Sequence, residues 1–184
     1  SDFEYDLYKR YDCTIHMLDG SVDGPAVHCD NFYFQKKWLG IAESDNTVEV
    51  NSWISLNANS HDRIILKLDI EGCEYRILDA LEDNLLSKID CIVCEFHSFE
   101  SIILREEIMQ RKIIKKLLEK FYCVHLHPNN GKRPFLVYGL NIPSDIEVTF
   151  IRKDLVTRID GQVLLPNILD FDNTTNQTTI LNWT

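Results

Sequence analysis

The chain has 184 residues, of which 45% are hydrophobic, and its formal net charge at pH 7 is -10. This length and composition allow the chain to bury one core, while the acidic balance argues against nucleic acid as a partner, because phosphate binding requires a basic surface. We predict one soluble domain without repeats over residues 1–158 and an extended, Asn- and Thr-rich tail over residues 159–184.

The first predicted elements are a helix and a strand that ends in an acid. Apolar spacing predicts a helix from Asp2 to Tyr11, and a strand follows to Leu18. Asp19 and Gly20 come next, and the turn-forming residues from Asp19 to Pro25 predict a loop. A carboxylate at the end of such a strand can accept hydrogen bonds from both hydroxyls of a cofactor ribose. The alternative is a simple turn acid, because Asp-Gly is a strong turn signal by itself.

Two shorter elements are predicted before the centre of the chain. Residues Phe32 to Ile41 have the aromatic and apolar content of a strand. Polar residues from Glu43 to Asn46 then predict a turn. Residues Val50 to Leu56 are predicted to form a short helix that leads into the next strand.

The most informative stretch is a short apolar run that ends in acids. Ile64 to Leu68 is apolar except for one lysine, and Asp69, Glu71 and Glu74 follow around Gly72. Such a run is typical of a buried strand in a parallel sheet, and open α/β sheets bind ligands beyond the carboxyl ends of their strands. We interpret Asp69 and Glu71 as site residues, and Glu74 as an acid that opens the next helix, where the helix dipole favours negative charge.

A second strand ends in the same way. Residues Ile89 to His97 have an apolar centre and finish with Glu95 and His97, which strand alternation places on one face. Helical spacing of apolar residues from Tyr75 to Leu81 predicts a helix between the two strands. The resulting βαβ unit should bring Glu95 and His97 close to Asp69 at one edge of the sheet. A histidine merely satisfied at a strand end is the alternative interpretation of His97.

The C-terminal part is predicted to contain one long helix and two strands. Apolar spacing predicts a helix from about Ser101 to Phe121, whose lysines we interpret as a solvated face. Lys132 and Arg133 are predicted to lie in a loop, where ordinary surface charge is the preferred interpretation and binding of a phosphorylated or acidic substrate is the alternative. Strands are predicted from Tyr122 to His127 and from Ile146 to Lys153. The loop 128–145 has no helical pattern that would form a crossover, so these two strands should be antiparallel. Within it, Leu136 to Leu140 fits a strand or an ordered loop segment.

The cysteine and histidine patterns do not predict a metal site. Most of the 6 cysteines lie in or beside predicted buried strands, where a free thiol behaves as a small hydrophobe. Cys91 and Cys94 have the spacing of a zinc finger, but no second pair follows. His125 and His127 share a strand face and would suit a metal together with one carboxylate; packing under the sheet edge is the preferred interpretation.

The compartment is left open by the sequence. Three glycosylation sequons begin at Asn173, Asn176 and Asn182, and they matter only if the chain enters the secretory pathway. Residues 1–184 contain no pattern of a targeting or membrane-spanning segment, so a cytoplasmic location is the other expectation.

Taken in chain order, these segments resemble the FkbM-type methyltransferase family, and the tail resembles its animal branch. The family has a closely similar acidic turn around a glycine, followed by a strand that ends in glutamate and often histidine. The segments that carry the resemblance are LKLDIEGCEYRILDAL at residues 66–81, IDCIVCEFH at residues 89–97, the strand from Tyr11 to Asp19, the last two predicted strands, and Leu165 to Phe171.

The resemblance implies a fold, a cofactor and roles for residues. The fold would be a Rossmann-like doubly wound sheet of the class I methyltransferase type, mostly parallel with an antiparallel C-terminal strand. The cofactor would be S-adenosylmethionine, bound through Asp19, Gly20 and Asp69. Asp69, Glu95 and His97 are then the candidate bases, and Glu71 lies at the rim of the site. No glycine precedes Gly20, so we expect the glycine-rich first turn of this fold to lie upstream of residue 1.

Two functions from different classes are consistent with these features. The first is methyl transfer from S-adenosylmethionine to an oxygen of a small molecule or glycan. The second is a catalytically inactive methyltransferase fold that serves as a binding or interaction module, which the missing glycine turn would favour. A dehydrogenase is a weaker third hypothesis, because it too requires a glycine fingerprint.

Overall fold

The computed structural model describes residues 2–59, 63–104, 108–157 and 165–182. These residues form two compact units, one within residues 1–60 together with 80–82, and the other within residues 61–79 and 83–184. The predicted domain boundary near residue 158 lies outside the described residues and stays a prediction.

The first unit contains two helices and two pairs of parallel strands. The predicted first helix and strand are confirmed, as is the short helix before the centre of the chain. Strand β1 pairs with β2, and β3 pairs with β4. The elements are α1 (Asp2–Tyr11), β1 (Ile15–Leu18), β2 (Phe32–Gln35), β3 (Trp38–Gly40), β4 (Thr47–Glu49) and α2 (Val50–Asn57).

The single strand predicted from Phe32 to Ile41 is wrong. Two strands, β2 and β3, occupy this region and belong to different sheets. The break falls at Lys36 and Lys37, where the amide of Lys37 donates a hydrogen bond to the carbonyl oxygen of Gln35 at 2.9 Å. This three-residue turn changes the direction of the chain. The sequence does not reveal it, because the segments on both sides of the turn are similarly rich in aromatic residues.

The second unit contains the two strands that end in acids. Its elements are β5 (Ile64–Leu68), α3 (Glu74–Ala80), α4 (Asp83–Leu86), β6 (Ile89–Phe96), α5 (Ser101–Leu104), α6 (Ile108–Lys120), β7 (Phe121–Pro128), β8 (Phe135–Val137), β9 (Leu140–Ile142) and β10 (Ile146–Arg152). Strand β5 and helix α3 lie where the apolar patterns predict them, so the predicted βαβ unit is confirmed.

Four of these strands form one sheet in the order β5-β6-β10-β7. Strand β5 is parallel to β6, while β10 is antiparallel to both β6 and β7. The predicted antiparallel C-terminal strand is therefore confirmed. The core under this sheet is apolar, and the rings of Phe96 and Phe150 meet edge to face with centroids 6.4 Å apart.

The described strands form several small sheets rather than one doubly wound sheet. Strands β1 with β2, β3 with β4, and β8 with β9 each form a separate two-stranded sheet. The last pair is an antiparallel hairpin, which resolves the segment that the sequence leaves open between strand and loop. The predicted long helix corresponds to α5 and α6, and residues 105–107 between them lie outside the described range. Phe121, predicted as its last residue, is instead the first residue of β7.

The described part of the tail packs on the second unit through side-chain amides. Asn130 is 2% exposed, and its Nδ2 donates to the carbonyl oxygens of Thr174 and Asn176 at 3.1 Å each. Leu181 is buried. These contacts fix the tail to the loop that follows β7. The helices within the described ranges are all too short or too polar to span a lipid bilayer.

Candidate active site

The turn after β5 has an unusual backbone. Glu71 has φ 54° and Gly72 has φ 100°, so two consecutive residues are in the left-handed region. Glycine adopts this conformation without strain, and an added Cβ at Gly72 would meet no atom within 4 Å, so the backbone rather than crowding accounts for glycine there. The turn leaves Asp69 and Glu71 exposed beyond the end of the strand.

Strand β6 places Glu95 and the following His97 on one side of the sheet. Burial alternates along β6, with Cys94 and Phe96 buried and Glu95 half-buried between them. One ligand atom each from Asp69, Glu95 and His97 lie within 4.8 Å of one another. The predicted convergence of these three side chains is therefore present, and we call them the Asp69–Glu95–His97 cluster. Their chemical role stays a prediction.

The imidazole of His97 is fixed by a buried carboxylate. Its Nδ1 lies 2.9 Å from Oε1 of Glu74, whose side chain has no exposed surface. The same oxygen accepts hydrogen bonds from the amides of Ile70 and Gly72 at 3.1 Å each. Nε2 of His97 lies 3.4 Å from Oε2 of Glu71, whose side chain is 88% exposed. Glu74 thus links the turn after β5 to the residue that follows β6.

Glu74 is the site residue that sequence reasoning missed. The helix-opening role assigned to it is correct, because Glu74 is the first residue of α3. Its burial and its contact with His97 were not expected. The sequence contains one signal for a site role of Glu74: it is the third acid of Asp-Ile-Glu-Gly-Cys-Glu, five residues after Asp69.

Burial and neighbouring charges shift the pKa values of Glu95 and His97. Burial raises the pKa of Glu95, and the charge of Asp69 raises it further, against a hydrogen bond from Asn129 that lowers it. Burial alone would lower the pKa of His97, but the charge of Glu74 and its hydrogen bond offset this, so the pKa of His97 lies above its ordinary value of 6.5. The electrostatic potential at the cluster is negative, because its two carboxylates outnumber the single imidazole.

Asp145 and Asn129 hold the loops around the cluster. Oδ1 of Asp145 accepts a hydrogen bond from the amide of Ser98 at 3.2 Å, and its Oδ2 lies 2.9 Å from Nζ of Lys132. Nδ2 of Asn129 donates to Oε1 of Glu95 at 2.7 Å. The loop after β7 therefore orients one carboxylate of the cluster.

The residues predicted to bind the cofactor ribose lie in the first unit. Oδ1 of Asp19 accepts hydrogen bonds from the amide and hydroxyl of Ser21 at 2.7 and 2.6 Å, so the turn-acid interpretation is correct as a structural role. These bonds lower the pKa of Asp19. A Cβ added at Gly20 would lie 2.3 Å from Cε2 of Trp38, so glycine is required there by the approach of the indole. The cofactor role of Asp19 and Gly20 stays a prediction.

The other polar groups singled out by sequence lie elsewhere on the second unit. His125 Nε2 lies 2.8 Å from Oδ1 of Asp170, and His127 Nδ1 lies 3.8 Å from its Oδ2. The tail thus supplies the carboxylate partner, but these three residues do not meet the mutual spacing of the Asp69–Glu95–His97 cluster.

Lysines of α6 pair with acids of α3 and α4: Lys112 lies 2.9 Å from Asp79 and Lys120 lies 3.6 Å from Asp83.

An open groove of about 630 Å³ lies beside α6 and contains none of the predicted site residues. Basic and apolar side chains line most of it: Phe99, Ile102, Arg111, Ile114, Lys115, Leu118, Glu119 and Lys153. Because none of the acids at the strand ends lines it, this groove does not match the ligand-binding edge of an open α/β sheet.

Comparison with known proteins gives one match. The sequence model of a family described as the methyltransferase FkbM domain matches residues 32–134. The matched range includes Asp69, Glu71, Glu95 and His97, and begins after Asp19 and Gly20. Neither the curated proteins nor the solved structures give a match.

Proposed function

The chain belongs to the FkbM methyltransferase domain family, and from that membership we propose that it transfers a methyl group from S-adenosylmethionine to an oxygen atom of a small molecule or glycan. The observation that carries the proposal is the convergence of Asp69, Glu95 and His97 within 4.8 Å at the ends of β5 and β6, inside the matched range. Open α/β sheets bind their substrates at this edge.

The proposed fold is of the class I methyltransferase type, to which the four-stranded sheet of the second unit would belong. Its strand order β5-β6-β10-β7, with β10 antiparallel to its neighbours, supports this assignment. Parallel pairing of β1 with β2 in the first unit is also consistent with it.

The cluster has the chemistry that an oxygen acceptor needs. S-adenosylmethionine, when bound, supplies an electrophilic methyl group. As the acceptor oxygen forms its bond to that carbon, the hydroxyl proton must leave, and a base must stand within hydrogen-bond reach directly or through one water. Asp69, Glu95 and His97 are the candidate acceptors of this proton, with Glu71 at the rim. Glu74 keeps the imidazole in place.

The ribose would be bound by Asp19. Its carboxylate is ionised at neutral pH, because the hydrogen bonds from Ser21 lower its pKa. An ionised carboxylate has about four lone-pair positions. Oδ1 can therefore accept the hydrogen bonds from Ser21 while the carboxylate also accepts hydrogen bonds from ribose hydroxyls. The residues present are therefore compatible with the cofactor.

The test is methyl transfer by a purified form of the protein that includes the expected glycine-rich turn, from S-adenosylmethionine with a radiolabelled methyl group to a panel of hydroxyl-bearing small molecules and glycans. We expect labelled product together with S-adenosylhomocysteine in equal amounts for at least one acceptor class. Cofactor binding without transfer to any acceptor would support the binding-module hypothesis instead. Absence of both would overturn the proposal.

A further inference from the structure

The Asp69–Glu95–His97 cluster contains a mixed set of nitrogen and oxygen ligands in a compact arrangement. One ligand atom from each residue lies within 4.8 Å of the other two. Ligands that bind an ion at about 2.2 Å stand at most roughly 4.4 Å apart, so small side-chain adjustments would close the set around one ion. Strand ends hold Glu95 and His97 on one face, and the tight turn at Gly72 follows Asp69.

The orientation of His97 is the second observation. Its Nδ1 is engaged by Glu74 at 2.9 Å, and Glu74 is fully buried, which leaves Nε2 as the nitrogen able to bind an ion. That nitrogen faces a carboxylate, Glu71, at 3.4 Å. Histidines that bind metals almost always donate the other ring N–H to a carboxylate or carbonyl, because this fixes the ring and makes the ligating nitrogen more basic.

The remaining contacts of the cluster also suit a cation. Oε1 of Glu95 is hydrogen-bonded by the neutral amide of Asn129 at 2.7 Å, which orients the carboxylate without neutralising its charge. Asp69, Glu71, Glu74 and Glu95 together place four carboxylates around one imidazole. Asp69 is exposed, and Glu95 and His97 are half-buried, so coordination positions would stay open to water or substrate.

We propose that Asp69, Glu95 and His97 bind one divalent transition-metal ion at the edge of the sheet where β5 and β6 end. One imidazole and two carboxylates favour an ion of the Mn²⁺ or Zn²⁺ type over Mg²⁺, which prefers oxygen ligands throughout. The metal site itself does not require the proposed function; its use in methyl transfer rests on that function. An acceptor hydroxyl at an open position would lose its proton to water more readily. Its oxygen would then bond to the methyl carbon while the carbon–sulfur bond breaks and sulfur keeps the electron pair.

The experiment is a Mn²⁺ titration of the full chain after removal of metals with EDTA and gel filtration. Free Mn²⁺ is measured by its electron paramagnetic resonance signal, without cofactor or acceptor. We expect one Mn²⁺ per chain in the wild type. Glu95→Gln and Asp69→Asn, which keep side-chain size, should each weaken binding more than about tenfold, and Glu74→Gln should weaken it about 10- to 100-fold by loosening His97.

Glu147→Gln is the matched control, because Glu147 is the cross-strand partner of Glu95 on β10 and lies outside the cluster. It should bind Mn²⁺ as the wild type does, and circular dichroism should show that all variants are folded. No saturable binding, or an equal loss in Glu147→Gln, would overturn the metal site. Metal binding without methyl transfer would overturn only the proposed function. Transfer that persists in EDTA, together with absent Mn²⁺ binding, would overturn only the metal site.

Discussion

The carboxylate of Glu74 and the imidazole of His97 form a buried pair that joins two strand ends. Nδ1 of His97 lies 2.9 Å from Oε1 of Glu74, and Glu74 has no exposed surface. The same oxygen accepts hydrogen bonds from the amides of Ile70 and Gly72, so a single atom fixes both the left-handed turn after β5 and the imidazole after β6. The geometry of the candidate site therefore depends on a residue outside the cluster itself.

Replacing Glu74 should destabilise the fold strongly. Glu74→Ala would leave the amides of Ile70 and Gly72 and the imidazole of His97 without their acceptor, at a cost of about 3 to 5 kcal/mol in the free energy of unfolding. Glu74→Gln keeps a carbonyl acceptor and should lose less. Urea unfolding gives the measurement, with Glu119→Ala on the exposed face of α6 as the control, expected within about 0.5 kcal/mol of the wild type. A loss below about 1 kcal/mol for Glu74→Ala would contradict the structural role.

Much of the candidate site was predictable because it depends on strand periodicity. The apolar run Ile64 to Leu68 and the ending of β6 are enough to predict that Asp69, Glu95 and His97 lie at one sheet edge. Parallel strands joined by one helix put their carboxyl ends together, and this rule depends only on the order of elements. The antiparallel pairing of β10 with β7 was predictable too, because the loop between these strands has no helix that could form the crossover of a parallel pair.

The rest depended on tertiary contacts that local patterns do not encode. An acid in the first turn of a helix is normally solvated, so nothing local showed that Glu74 is buried against His97. The break between β2 and β3 arises from a turn at Lys37 between two segments of similar aromatic content. Leu181 is buried within a tail that is mostly polar. The residues on either side of it bond to the β8–β9 hairpin, because Nδ2 of Asn141 donates to the carbonyl oxygen of Ile180 at 3.1 Å and Nδ2 of Asn182 donates to that of Gly139 at 2.9 Å.

In a form of the protein that includes the expected glycine-rich turn, Asp19 should control cofactor affinity through the ribose. Asp19→Ala removes charge-assisted hydrogen bonds worth about 1.5 to 3 kcal/mol, so binding of S-adenosylhomocysteine should weaken roughly ten- to a hundredfold. Titration calorimetry gives the measurement. Asp23→Ala, in the same loop and paired with Lys36, is the control and should bind normally. Equal affinity in wild type and Asp19→Ala would remove Asp19 from the cofactor site.

The cysteines should differ sharply in their reactivity with iodoacetamide. The thiolate is the reactive form, and burial raises the pKa values of Cys91 and Cys123, so little thiolate is present in these residues at pH 8. Cys94 is 1% exposed, whereas Cys73 is exposed. Mass spectrometry at pH 8 should find Cys73 labelled first, and labelling of Cys91 should increase as pH rises above 9. Labelling all four at the same rate would show that the sheet opens readily.

The tail should contribute to stability through Asn130. This buried amide donates to Thr174 and Asn176 and accepts from the amide of Thr174 at 2.8 Å. Asn130→Ala would leave these groups unpaired and should lower the free energy of unfolding by about 1 to 3 kcal/mol. The exposed Asn46 provides the control substitution, Asn46→Ala. If deletion of residues 165–184 had no effect on stability and Asn130→Ala did, the amide would act within its own loop rather than through the tail.

His97 should affect turnover far more than cofactor affinity. If the acceptor oxygen binds at the Asp69–Glu95–His97 cluster, His97→Ala removes a group that takes part in proton removal, either directly or by binding an ion, and such groups contribute about 10²- to 10⁴-fold to rate. The affinity for S-adenosylhomocysteine should stay within about twofold of the wild type, the reverse of the result expected for Asp19→Ala. Labelled methyl transfer and calorimetry on the same preparations compare the two quantities. Because His97 bonds to buried Glu74, His97→Gln serves as a second variant that keeps a donor near this position. If both variants lost rate and cofactor affinity in equal measure, or lost neither, His97 would have no part in activating the acceptor.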